Sequence, residues 1–332
     1  MWRSFYSPHL AVLVIWTACS LSGGYAFAES SDDPATIGDA IHFRIVGEQM
    51  LIVPVVINGH GPFDFALDTG SSRTILDKKL ALQLALKADT SEDFTSLTRT
   101  ERLALGRLDE IRLASAVVRE AEVGIVALDG LKAIYGRARG ILGEDFFSHF
   151  DFLLDYRRHT LTFEKGSSDL LRGIRGERIS VRESGTVEGL RTVNRLIITI
   201  QSPELSVSGM SFQLDSGATL PVLFPHSAGR MRVDDDRTSA AATTAECEYC
   251  SLFRIRRLRV LQVGKRMLSN VLMAIPDVRG QMDTDGLLPT SLFRSIYISH
   301  SSSFVILDPE LLPVKSAPVL TTAVAAVPAG NF

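Results

Sequence analysis

Residues 63–76 read FDFALDTGSSRTIL, and residues 210–224 read MSFQLDSGATLPVLF. Each is an alternating apolar run that ends on a carboxylate, then a hydroxyl residue, a glycine and a new apolar stretch. Period-two alternation marks a strand with one buried face, and a carboxylate at the end of such a strand needs a partner. Asp-Thr-Gly alone is an ordinary turn sequence, so the surroundings decide the matter. Asp215 follows Asp68 by 147 residues. The stretch LDEIRLASAVVREAEVGIV from Leu108 aligns without gaps with LRVLQVGKRMLSNVLMAI from Leu258, at an offset of 150. Ile111 and Leu113 then stand opposite Leu261 and Val263, at inward strand positions. GILGEDFFSHF from Gly140 aligns with GLLPTSLFRSI from Gly286, at an offset of 146. Three landmarks in one order at nearly one offset make a duplicated unit.

Each copy opens with paired strand signals: IHFRIV and MLIVPVVI in the first, RISVRE and RLIITIQ in the second. Asn58-Gly59 is a hairpin turn. Helix is scarce; Asp77 is an expected N-cap for LDKKLALQLAL, and Thr290 for SLFRSI. Many short strands and little helix predict an all-β fold of two similar lobes with a cleft between them. The expected division is a signal peptide at 1–28, a flexible N-terminus at 29–40, a first lobe at 41–164, a polar join at 165–178, a second lobe at 179–308 and a flexible Pro/Ala-rich tail at 309–332.

The signal combines Arg3, the apolar run LAVLVIWTA at 10–18 and a small-x-small site, AFA, at 26–28. It predicts export to a bacterial periplasm or beyond. The run is too short to span a bilayer, and no later stretch is long and uncharged enough. A lipid anchor at Cys19 is the competing reading, disfavoured by Trp16 where such sites carry leucine. The 332-residue chain has 35 basic and 38 acidic residues, a net charge of −3. No nucleic-acid partner is expected from that balance. FRIRRLRV at 253–260 reads as a strand with a solvated arginine face. Of three cysteines, Cys247 and Cys250 in CEYC survive signal removal, and in an oxidising compartment the simplest expectation is a local disulfide. A zinc set lacks further ligands, since His226 and His300 stand apart. No His-Glu-x-x-His run, Gly-x-Ser-x-Gly elbow or phosphate-binding loop is present, so no cofactor or metal is expected.

A strand ending in Asp-Thr/Ser-Gly, a later apolar-apolar-Gly element and a short following helix, all present twice, resemble the aspartic protease superfamily. Each half resembles a bacterial retropepsin-like unit, most clearly in GPFDFALDTGSS and GILGEDFFSHFDFLLDYRRHTLTF. The resemblance runs from about Ile41 to Asp308 and implies a covalent pseudo-dimer of the pepsin-like kind. It implies endopeptidase activity, with Asp68 and Asp215 holding a water between them and a peptide or protein substrate bound in extended form. Two adjacent carboxyl groups share one proton and so supply a base and an acid together. Gly70 and Gly217 would let the backbone turn against the carboxylates, and Thr69 and Ser216 would bond across the lobe interface. Ser71, set against Ala218, is expected to bring a hydroxyl to Asp68 and so bias the charge toward it. Flaps are implied near residues 90–101 and 239–253, the second holding Tyr249 between the cysteines. Activity is expected at acidic to mildly acidic pH. The rival is a catalytically silent binder of peptides or partners with the same fold; an envelope scaffold or lipoprotein is the third class.

Overall fold

The structure is a computed structural model and describes residues 40–47, 50–95, 100–164, 169–182, 195–230, 253–276 and 283–311. The signal, Cys19, Cys247, Tyr249, Cys250 and nearly all of the second expected flap lie outside the described residues.

The expected all-β architecture is present, and the two halves use the same strand order. In the first half an eight-stranded sheet runs Arg44–Val46, Met50–Ile57, His60–Leu67, Gly140–Leu142, Ile75–Asp77, Ala116–Val126, Thr100–Leu113, Ala88–Thr95. Pairing of Met50–Ile57 with Thr100–Leu113 closes six of these strands into a ring. The second half forms a closed barrel in the matching order: Ile197–Gln201, Met210–Asp215, Gly286–Pro289, Val222–Leu223, Arg266–Pro276, Phe253–Val263. Register repeats too, since Leu67 pairs in parallel with Leu142 and Leu214 with Leu288. The inward positions Ile111, Leu113, Leu261 and Val263 are all buried. Their alternation with half-buried or exposed residues gives each barrel its apolar filling.

Local signals explain most of the elements. Asn58 and Gly59 both take positive φ, 47° and 77°, as the two-residue turn between Met50–Ile57 and His60–Leu67 requires. Asp77 caps the helix Lys78–Gln83 by accepting from Lys79 N. Thr290 is not a cap: it begins the 3₁₀ turn Thr290–Leu292, and Ser295–Ser299 continues as strand. Cross-strand pairing with Phe152–Asp155 outweighs the local helical pattern there. The arginine stretch 253–260 is a strand, with Ile255 and Leu258 buried and Arg254, Arg257 and Arg259 exposed.

A third sheet joins the halves, in the order Ile41–His42, Thr160–Phe163, Phe152–Asp155, Ser295–Ser299, Phe304–Leu307, Arg178–Ser180. Its centre pairs Phe152 with Ile298 and Leu154 with Ile296, one strand from each half. Part of the expected join is built into the fold: helix Asp169–Arg172 leads to Ile174–Arg175, which pairs with Glu310–Leu311 at the start of the expected tail. Leu170 and Ile174 are buried against Tyr297, Phe304 and Ile306, with Leu311 packed beside them. Among the described residues no helix is long and apolar enough to cross a membrane.

Candidate active site

Strand His60–Leu67 ends immediately before Asp68, and strand Met210–Asp215 ends on Asp215. Their parallel neighbours, Gly140–Leu142 and Gly286–Pro289, fix both ends at one level. The halves bring these ends together, and both carboxyl groups are buried, Asp68 at 3% and Asp215 at 0% exposure. The backbone holds one oxygen of each. Gly70 N (2.8 Å) and Ser71 N (3.1 Å) donate to Asp68 Oδ1, while Gly217 N (2.7 Å) and Ala218 N (3.0 Å) donate to Asp215 Oδ1. Each glycine lies against the other half's aspartate. A β-carbon at Gly217 would sit 2.6 Å from Asp68 Cγ, and one at Gly70 would overlap the Asp215 carboxylate. Only a residue without a side chain lets the two turns approach this closely.

The hydroxyl residues tie the turns together. Thr69 N donates to Ser216 Oγ (2.9 Å), and Ser216 N donates to Thr69 Oγ1 (3.1 Å). Thr69 Oγ1 in turn donates to Leu214 O, and Ser216 Oγ to Leu67 O, both at 3.2 Å. The four bonds form a two-fold pattern in which each hydroxyl both accepts and donates across the halves, at about 0.5–1.5 kcal/mol per bond.

Electrostatics make the aspartates a pair. Burial pushes Asp68 up to about 6, against the stabilising hydrogen bonds from Asp215, Gly70 and Ser71. Asp215 is raised well above the usual carboxylate range, first by burial and then by the charge of Asp68. Asp215 Oδ2 receives no hydrogen bond from a described protein donor. A proton shared between the two carboxyl groups would satisfy it, and the pair then titrates as one unit.

Ser71 does not act as expected. Its hydroxyl donates to Arg73 O at 2.8 Å, turned away from the carboxylate, and only its N–H meets Asp68, as the N–H of Ala218 meets Asp215. A bias toward charge on Asp68 would therefore need another source than this hydroxyl.

Four features escape the sequence reading. Gln213 Nε2 donates to Gly70 O (3.1 Å) and Thr69 O (3.4 Å). Arg73, 8% exposed, pairs with Glu92 (2.6 Å) and Glu122 (3.1 Å). Strand Ala88–Thr95, which carries Glu92, forms with Thr100–Leu113 a hairpin at the place of the first expected flap. Tyr156 bonds Thr290 across the halves at 2.6 Å. His300 Nε2 lies 3.2 Å from Glu144 Oε1, also across the halves. Aligning FLLDYRRHTLTF with IYISHSSSFVIL sets Tyr156 opposite His300, just as Glu144 stands opposite Thr290 in the repeat. For Arg73, set against Leu220, and Gln213, set against Ala66, a polar residue at a position that is apolar in the other copy was the available signal. Among the described residues no group of three or more His, Cys, Asp or Glu is arranged to hold a metal ion.

Residues 53–146 match the family model described as aspartyl protease. The match contains Asp68, Thr69, Gly70 and the Gly140 strand. No curated protein matches the chain. Among solved structures, one match is the crystal structure of a retropepsin-like aspartic protease from Rickettsia conorii. It is 20% identical and covers 38% of this chain and 87% of that one, with a TM-score of 0.27.

Proposed function

We propose that this protein is an exported aspartic endopeptidase that hydrolyses peptide bonds with water activated between Asp68 and Asp215. One observation carries the proposal: two buried carboxyl groups, delivered by matching strands of a duplicated unit, meet inside a two-fold hydrogen-bond frame. The family match over residues 53–146 supports it.

The pair supplies both proton transfers of amide hydrolysis. Asp68, charged, takes a proton from water as the water oxygen bonds to the scissile carbonyl carbon. Asp215, protonated, gives its proton to the carbonyl oxygen. In the second step Asp68 returns a proton to the amide nitrogen while Asp215 takes one from the tetrahedral diol. The C–N bond breaks, and the pair again holds one proton. The N–H groups of Gly70, Ser71, Gly217 and Ala218 keep the acceptor oxygens fixed throughout.

An extended peptide suits this site because the hairpin Ala88–Thr95/Thr100–Leu113 offers a strand edge for backbone pairing. Residues 1–28 direct export, which places the activity in the periplasm or outside the cell. The working range starts where Asp68 ionises, near pH 6, and ends where Asp215 loses its proton. That lies at the mildly acidic end of the range expected from two carboxyl groups that share a proton, or above it.

The test is digestion of a mixed peptide library by the mature protein from pH 4 to 8, read by mass spectrometry, beside Asp68→Asn and Asp215→Asn. Cleavage by the native protein that disappears in both variants supports the proposal. Folded protein that cuts nothing, or variants that cut equally well, would leave a silent peptide binder.

A further inference from the structure

The strands that deliver the aspartates repeat as FDFALD and MSFQLD, and two residues before the aspartate they differ: Ala66 against Gln213. Period two puts each on the strand face that carries its aspartate. Gln213 is 1% exposed, and its amide nitrogen meets Gly70 O at 3.1 Å and Thr69 O at 3.4 Å. Carbonyl oxygens only accept, so the amide presents its NH₂ to both.

These two carbonyls belong to the peptide units that hold Asp68. The unit beginning at Thr69 C=O ends in Gly70 N–H, which is 2.8 Å from Asp68 Oδ1. The unit beginning at Gly70 C=O ends in Ser71 N–H, 3.1 Å from the same oxygen. A donor placed on a peptide carbonyl polarises the N–H of that unit, and linked hydrogen bonds strengthen one another. In the other half Gly217 N and Ala218 N hold Asp215 in the same way. The position matching Gln213 there is Ala66, whose side chain has no donor.

We propose that Gln213 is a positioning residue that makes the dyad unequal, acting through the 69–71 peptide units to favour Asp68 as the charged member and leave the proton on Asp215. Hydrogen bonds that strengthen toward a charged carboxylate favour its ionised form. The inference deepens the endopeptidase reading, since it assigns base and acid to particular aspartates, but the charge distribution it concerns exists with or without turnover. It also replaces the Ser71 hydroxyl, which points elsewhere.

The experiment is a ¹³C carboxyl NMR titration of the dyad in the folded native protein and in Gln213→Met, which keeps the volume and removes the donor. Gln213→Asn, with its amide drawn back by one methylene, is the second variant. In both, the first ionisation of the pair should move up by about half a pH unit. The second should stay, because Asp68 is charged before and after it. Where a cleaved peptide is in hand, the acid limb of kcat/KM should rise by the same amount while the basic limb holds. A first ionisation unchanged in a folded variant overturns the assignment. Absence of cleavage by the native protein sinks the protease reading and leaves this titration to decide the role of Gln213 by itself.

Discussion

Asp68 and Asp215 are each clamped at one oxygen by two backbone N–H groups, and each faces the other. Replacing Asp68 by Asn keeps an acceptor for Gly70 and Ser71 while removing the base, so cleavage should be lost, a fall of at least about 10²–10⁴-fold. The same change should stabilise the fold at pH 7. Asp68 ionises near 6 in the folded protein against 3.8 ordinarily, so the native state binds more protons between those values and loses stability as pH rises through them. Asp68→Asn removes that loss, a gain on the order of 1–3 kcal/mol at pH 7 that shrinks toward pH 4 in urea unfolding. Ser71→Ala should cost about 1 kcal/mol by leaving the Arg73 carbonyl without its donor, yet leave the pH–rate limbs where they are. The Asp-hydroxyl-Gly set was legible because it occurs twice in matching surroundings. The direction of the Ser71 hydroxyl was not, since a carbonyl two residues on competes for it. Gln213 was visible only as one polar letter in an apolar strand.

At the scale of elements, Arg73 links the turn after Asp68 to the strand Ala88–Thr95 through Glu92, and to Ala116–Val126 through Glu122. The matching position in the second half is Leu220, so this anchor belongs to one hairpin. Arg73→Met leaves two partly buried carboxylates facing each other and should cost about 1–2 kcal/mol. Hydrogen exchange should speed up in Ala88–Thr95 ahead of the rest of the sheet, and KM should rise more than kcat falls. Uniform exchange with unchanged KM would show that the ion pairs do not hold the hairpin. Strands, the Asn58-Gly59 turn and the Asp77 cap were legible because each depends on neighbours within a few residues. Thr290 was misjudged because a strand from the other half, Phe152–Asp155, claims the segment that follows it. The structured part of the join is of the same kind: Leu170 and Ile174 are apolar, but what covers them is Tyr297 and Phe304, more than a hundred residues away in sequence.

Across the whole molecule, duplication produced two barrels of one strand order, and the polar contacts between them are where the copies diverge. Tyr156–Thr290 and His300–Glu144 stand at corresponding places, one neutral and one ionisable. Burial holds His300 down to about 4, with Asp151 opposing that shift and His149 adding to it. The unfolded chain therefore takes up this proton first as pH falls from 6.5, and stability is lost through the window from 6.5 to 4. His300→Gln should flatten that loss, by on the order of 1–3 kcal/mol at pH 4, in unfolding curves compared at pH 7 and pH 4. The duplication was legible from spacing alone; the bonds across it were not, because no local pattern says which buried polar residue finds a partner in the other half. In the proposed reaction Asp68 and Asp215 work as one site sharing one proton. The most direct measurement is kcat/KM for a cleaved peptide from pH 3 to 9, for the native protein and for Asp68→Asn and Asp215→Asn. The account predicts a bell whose acid limb lies near 6 and no activity at any pH in either variant. A profile that rises to a lasting plateau, or that survives in one of the variants, contradicts it.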